Sequence, residues 1–246
     1  MDGVAQNLSG NSDKTQLLDE ISPETLARNV SDVLDTLNKN KYQNSPPARL
    51  IAVTKMVGPS VINALKPLNV LDIGENRAQV AIPKLPKIAP EFRLHWIGRL
   101  QTNKVKYIIE HVCMLHTLDR LALAQEVDRR AKEHGIVMPA LVQINIAREP
   151  QKGGMEPGEV LPFLRRMRDF SGIRVMGLMG IMPLQASGEE LTALFRGMRV
   201  LFEQLREEAV DGVEMRELSM GMSNDYAIAA REGATMVRIG TALYRR

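Results

Sequence analysis

The sequence predicts an α/β protein, a single (β/α)8 TIM barrel preceded by one extra helix. Three observations lead there. Short apolar runs, too brief for helices, recur along the chain, and amphipathic stretches with helical spacing separate them. Between residues 50 and 239 the runs number eight. Alternation of this kind implies parallel strands joined by right-handed crossovers. An eightfold count favours closure into a barrel over an open doubly wound sheet.

The extra helix opens at Ser22-Pro23, where serine can accept bonds from the orphan amides and proline suits the first helical position. Leu26, Val30, Val33, Leu34 and Leu37 then share one face. After Pro46-Pro47 the first strand is 50–53, apolar throughout, as befits a strand covered on both faces. The later strands are predicted at 70–73, 93–97, 113–117, 140–146, 174–179, 217–220 and 236–239. Helices are predicted at 61–65, 77–85, 103–110 with Asn103 as its cap, 120–134 closed by Gly135, and 160–170. A capping box, Ser187-x-x-Glu190, starts the next helix. Its stripe of Leu191, Leu194, Phe195, Met198, Leu201, Phe202 and Leu205 is the clearest helical pattern in the chain, and a last helix follows at 225–232.

Composition narrows the function classes. The 246 residues are 44% apolar and 25% charged, as in an ordinary soluble globular protein, and no apolar run approaches the roughly 20 residues of a membrane helix. Cys113 is the only cysteine, so no intramolecular disulfide can form, which fits a reducing cytosol; an inert buried thiol is expected there. The net charge is +3, but the bases are scattered in pairs such as Arg129-Arg130 and Arg165-Arg166, with no basic block interleaved with aromatics. Nucleic-acid binding is therefore not expected. Residues 1–20 are polar and acidic and match neither a secretory signal nor a transit peptide, so they are expected to be a disordered extension of a cytoplasmic protein, with residues 21–246 as the barrel domain.

Function in a barrel sits at the C-terminal ends of its strands. Strand seven ends in Ser219-Met220-Gly221-Met222-Ser223 and strand eight in Arg238-Ile239-Gly240-Thr241. The loops after these two strands commonly bind phosphate, and here they offer glycines for close backbone approach and hydroxyl donors. Ser223 or Asn224 could equally cap the following helix. Lys55 ends the apolar first strand. Burial there would favour its neutral amine, the form that adds to an aldehyde to give a Schiff base, whereas a lysine snorkelling to water is the plain alternative. Arg238 could be a structural ion pair across the barrel mouth.

Taken in order, Ala52-Val53-Thr54-Lys55, Gly74-Glu75-Asn76, His95-Trp96-Ile97-Gly98-x-Leu100-Gln101-x-Asn103-Lys104, His116-Thr117-Leu118-Asp119-Arg120, Gln143-Ile144-Asn145-Ile146, Gly177-Leu178-Met179, Ser219 to Ser223, and Thr235 to Thr241 resemble the pyridoxal phosphate homeostasis protein family (YggS/PROSC-like). The resemblance spans roughly residues 22–244. It implies a barrel like the N-terminal domain of alanine racemase and pyridoxal 5′-phosphate as cofactor. It also implies that Lys55 carries the cofactor as a Schiff base and that Arg238 faces the pyridine nitrogen. Ser219, Ser223, Gly240 and Thr241 would hold the phosphate, Asn76 would lie by the ring, and Met222 belongs to the same cofactor-binding set. Residues 1–20, Met56-Val57-Gly58-Pro59, Arg99 and the terminal Leu243-Tyr244-Arg245-Arg246 depart from the family pattern.

Two functional readings follow from the resemblance: a carrier that stores or delivers pyridoxal phosphate, with cofactor-requiring apo-enzymes as partners, and a racemase-like enzyme on amino acids. A third, a barrel enzyme on a phosphorylated substrate without cofactor, needs the resemblance to be accidental. A two-base racemase needs an acid/base on each face of the substrate carbon. The chain is too short for the second domain that supplies the opposing tyrosine in alanine racemase, and the sequence places none of Tyr107, Tyr226 and Tyr244 opposite Lys55. Arginine has no acceptor, so a pyridine nitrogen facing Arg238 stays unprotonated and is a poor electron sink. The carrier, as a monomer without robust turnover, is the expectation.

Overall fold

The computed structural model describes residues 17–149, 151 and 153–245. The strands are β1 (Arg49–Val53), β2 (Asp72–Glu75), β3 (Arg93–Trp96), β4 (Val112–Leu118), β5 (Met138–Ile144), β6 (Ile173–Gly180), β7 (Val213–Ser219) and β8 (Met236–Ile239). They form one closed parallel barrel in chain order, and β1 joins β8 in the register Arg49↔Met236 to Ala52↔Ile239. The helices are α1 (Pro23–Lys39), α2 (Pro59–Asn63), α3 (Ala78–Ala81), α4 (Val105–Ile108), α5 (Leu121–Glu133), α6 (Pro157–Met167), α7 (Gly188–Glu207), α8 (Tyr226–Arg231) and α9 (Thr241–Tyr244). None in the described chain is long and apolar enough to cross a membrane.

The predicted helix starts are built as their chemistry requires. Ser22 Oγ accepts from the Thr25 amide at 3.1 Å, with Pro23 in the first turn of α1. Ser187 and Glu190 close a reciprocal capping box on α7. Gly135, at φ +65°, ends α5 in the left-handed region glycine favours. Other expectations shift. Strand two runs later than 70–73, because Asn69 at φ 58° turns the chain before Asp72. Strand seven begins earlier than 217, at Val213. The helix expected at 77–85 is only the short α3 followed by a 3-10 turn, Ile82–Lys87, since Pro83 and Pro86 lack the amide hydrogens an α-helix needs. The helix expected at 103–110 opens as a 3-10 turn, Thr102–Lys104, and Asn103 does not cap α4.

Strand alternation sorts the core into two parts. Leu50, Ala52, Leu115, Ala140, Val142, Leu178 and Val237 pack outward with the helices in one large cluster. Their strand neighbours Ile51, Met114, Leu141, Met179 and Met236 form a separate cluster, which alternation places in the barrel lumen. His95, His116, Ser219 and Arg238 have the same inward parity and are likewise buried. Cys113 is a free thiol on β4, and burial pushes its pKa up to about 12, so it stays protonated and unreactive.

Candidate cofactor site

A cavity of about 600 Å³ opens at the C-terminal end of the barrel. Its wall includes Lys55, Asn76, Met222, Ser223, Arg238, Gly240 and Thr241, seven of the eight residues singled out from sequence. Ser219 is the exception. It is fully buried below the cavity, and its Oγ accepts from Nη1 of Arg238 at 2.7 Å. The phosphate contact expected of Ser219 is therefore corrected: its side chain anchors the arginine, because its inward-facing position on β7 lies one level beneath the loop that reaches the cavity.

Lys55 is exposed at the cavity, so of the two readings left open the lysine that reaches water is the one observed. The chain leaves the barrel at Val53, so Lys55 already stands beyond the strand. The buried lysine here is Lys84, which no sequence motif marks. Its Nζ donates to Glu75 Oε1 and to the Thr54 carbonyl, each at 2.8 Å, and so fixes the peptide that precedes Lys55. The backbone just after Lys55 is clamped from the N-terminal side. The Leu18 amide donates to Met56 O at 2.8 Å and the Gly58 amide to Leu18 O at 2.9 Å. A Cβ at Gly58 would sit 2.2 Å from Asp19 Oδ1 and 3.8 Å from Asp19 Cα, so a side chain there would displace the Asp19 carboxylate rather than the backbone. The disorder expected for residues 1–20 thus does not extend over 17–20, where Leu18 reaches the cavity wall; residues 1–16 lie outside the described chain.

The loops after β7 and β8 meet through one hydroxyl. Ser223 Oγ accepts from the amides of Gly240 at 3.3 Å and Ala242 at 3.2 Å. These amides are turned toward an oxygen acceptor, the arrangement that receives a phosphate oxygen. Neither Ser223 nor Asn224 caps α8; the residue at that position is Asp225, whose Oδ1 instead reaches back to the Met222 amide at 2.5 Å. Gly221 turns the loop at φ +95°, and a Cβ there would lie 2.6 Å from Ala229 Cβ. Across the cavity a Cβ on Gly98 would press on Asn76, 2.5 Å from its Cβ and 2.6 Å from its Cα, so a bare glycine lets Asn76 hold its place.

Arg238 is 4% exposed. Nη1 donates to Ser219 and Nη2 to the Gly180 carbonyl at 2.8 Å, and no ion pair involves it among the described residues, so the salt bridge considered for it is not formed. Burial pulls its pKa down to about 10, against the opposing charge of Asp225, so it remains a cation at neutral pH. A buried cation held by neutral acceptors at a cavity wall suits a ligand acceptor or anion. Of the three tyrosines in question, Tyr244 lines the cavity; its buried hydroxyl has no partner among the described residues, and burial raises its pKa.

The site thus combines an accessible primary amine, a buried cation, backbone amides turned to an oxygen and a neutral asparagine. A phosphorylated aldehyde with an aromatic nitrogen fits that donor set. The sequence matches the family described as "Alanine racemase, N-terminal domain" over residues 21–245, which defines the class: an alanine racemase-like (β/α)8 barrel. Within that class the relatives are more specific. The "Pyridoxal phosphate homeostasis protein" of Aquifex aeolicus is 39% identical, covering 80% of this chain and 86% of its own. Its namesake from Synechocystis is 34% identical over 81% of this chain and 91% of its own. The chain belongs to the pyridoxal phosphate homeostasis protein family. The structure of PipY from Synechococcus elongatus with PLP bound superposes with a TM-score of 0.79 at 31% identity, covering 89% of this chain and 99% of that one. An alanine racemase from Clostridium difficile, 16% identical with a TM-score of 0.72, covers 92% of this chain and 57% of the racemase, and shares the fold.

Proposed function

We propose that this protein binds pyridoxal 5′-phosphate as a Schiff base on Lys55 and serves its storage or delivery. The observation that carries the reading is the convergence on one cavity of Lys55, Arg238 and the Ser223–Gly240–Ala242 amide cradle. When bound, the cofactor supplies an aldehyde for the amine and an electron-withdrawing ring. Lys55 would hold the aldehyde carbon, the cradle with Thr241 would hold the phosphate, Arg238 would offer N–H donors to the ring nitrogen, and Asn76 and Met222 would line the space for the ring. A relative solved with PLP bound supports the choice of cofactor.

A carrier is favoured over a racemase-like enzyme because Arg238 can only donate, which keeps a facing pyridine nitrogen unprotonated and weakens carbanion stabilisation. We read residues 21–246 as the working domain, a cytoplasmic monomer passing cofactor to apo-enzymes. The test is loading with pyridoxal phosphate followed by gel filtration. Wild type is expected to retain a visible Schiff-base absorbance and Lys55→Ala to lose it. A wild type that stays colourless sinks the reading, and racemisation or decarboxylation of free amino acids at enzyme-like rates overturns the carrier in favour of the enzyme.

A further inference from the structure

A line of polar side chains crosses the barrel lumen beneath Arg238. Arg93 Nε and Nη2 donate to the two Asp72 oxygens at 2.7 Å. Asp72 Oδ1 lies 2.9 Å from His95 Nε2, and His95 Nδ1 lies 3.0 Å from His116 Nε2. His116 Nδ1 is 3.0 Å from Ser219 Oγ, which accepts from Arg238 Nη1 at 2.7 Å. Asp72, His95, His116 and Ser219 are all at most 4% exposed.

The chemistry of the ends fixes the direction. Arg238 only donates, so Ser219 receives its proton through a lone pair and has its own O–H to give. Ionised Asp72 only accepts, so His95 must present Nε2–H to it. If neutral His95 has its proton there, its Nδ1 accepts, and His116 must donate from Nε2 and accept at Nδ1. The opposite direction requires an imidazolium at His95, a further buried cation between Arg93 and Arg238 with Asp72 the one carboxylate in the line. Burial, reinforced by the charge of Arg238, holds His116 well below its ordinary pKa and so neutral. Burial opposes ionisation of Asp72, but hydrogen bonds from His95 and Arg93 outweigh it and hold the carboxyl well below the usual range.

We propose that Asp72, His95, His116 and Ser219 are positioning residues for Arg238, linked in one direction from Arg238 through Ser219, His116 and His95 to Asp72. The chain commits the Ser219 proton to His116, so the hydroxyl oxygen faces Arg238 as an acceptor only. The guanidinium is thereby oriented without a carboxylate touching it, and its charge and remaining donors stay available to the cavity. This use of the relay rests on the reading that a cofactor ring meets Arg238.

The direction is tested in cofactor-free protein by nitrogen-15 spectra of the two imidazoles. Both are expected as neutral Nε2–H tautomers; an Nδ1–H tautomer or an imidazolium at His116 overturns the relay. Asp72→Asn can turn an amide N–H to His95 while its oxygen keeps Arg93, so it is expected to reverse both tautomers, and an unchanged His116 contradicts the coupling. In pyridoxal phosphate-loaded protein, Ser219→Ala is expected to release the cofactor roughly ten- to a hundredfold faster, the loss of one buried bond to a charged donor, with a shifted visible maximum. Release and spectrum equal to wild type overturn the positioning role. Should wild type take up no cofactor, the binding reading fails, while the ring-nitrogen spectra still decide the relay. Should Asp72→Asn not fold, the wild-type spectra and Ser219→Ala decide it.

Discussion

Nζ of Lys84 and Oε1 of Glu75 stand 2.8 Å apart in an ion pair with side-chain exposures of 5% and 2%. Thr54 Oγ1 donates to the same carboxylate oxygen at 2.8 Å. This triad braces the end of β1 immediately before Lys55. Breaking a buried pair by removing one partner leaves an uncompensated charge, so Lys84→Ala is expected to cost about 3–5 kcal/mol in urea unfolding. Lys84→Met combined with Glu75→Gln removes both charges and is expected to recover most of that. A single variant as stable as wild type would show that the pair does not brace the strand end.

Acid should destabilise the fold in two stages. His116 is kept neutral in the native state, so below its unfolded pKa of about 6.5 the unfolded chain gains the proton more readily and stability falls with pH. Asp72 is held ionised in the native state. Its contribution is complete above the unfolded carboxyl pKa of about 3.9 and is lost as pH falls from there toward the lowered native value. Unfolding free energy measured from pH 7.5 to 3.5 is expected to decline across both windows. His116→Asn is expected to flatten the upper one and leave the lower, and an unaltered upper decline would contradict the assignment.

Gly98→Ala is expected to weaken cofactor retention as well as stability. The added methyl would meet the Asn76 backbone at 2.6 Å, and inserting a methyl into a packed site costs about 1–3 kcal/mol. Gly158→Ala in α6 meets nothing within 4 Å and serves as the control, with a neutral or slightly stabilising effect. Thermal melts together with cofactor off-rates read both quantities, and equal behaviour of the two variants would remove Gly98 from the account.

Ser223→Ala deletes the hydroxyl that joins the β7 and β8 loops through the Gly240 and Ala242 amides. Cofactor release is expected to quicken by about tenfold, the worth of one to two hydrogen bonds, with little change in unfolding midpoint because the site is half-exposed. A matching loss of stability without a change in release would assign Ser223 to the fold alone.

The barrel was legible because strands buried on both faces and helices with one apolar face have different periods, and the caps at Ser22 and Ser187 and the stop at Gly135 are local chemistry. Boundaries at Asp72 and in the helix after β2 were not, since a left-handed Asn69 and two prolines act there against the hydrophobic pattern. In the site, residues at strand ends came together as the topology demands. What escaped depended on which way a side chain points. Ser219 lies one level below the cavity, the buried lysine is Lys84 and not Lys55, and His95 pairs with His116 because their parity on β3 and β4 aims both into the lumen. Tyr244 reaches the cavity from α9, the short helix that directly follows β8.

The central claim is covalent, and mass spectrometry tests it most directly. After loading with pyridoxal phosphate and borohydride reduction, peptide mapping is expected to find the phosphopyridoxyl group on Lys55, the lysine in the cavity wall. A reduced protein without the adduct, or with it predominantly on another lysine such as Lys84 or Lys104, would contradict the account.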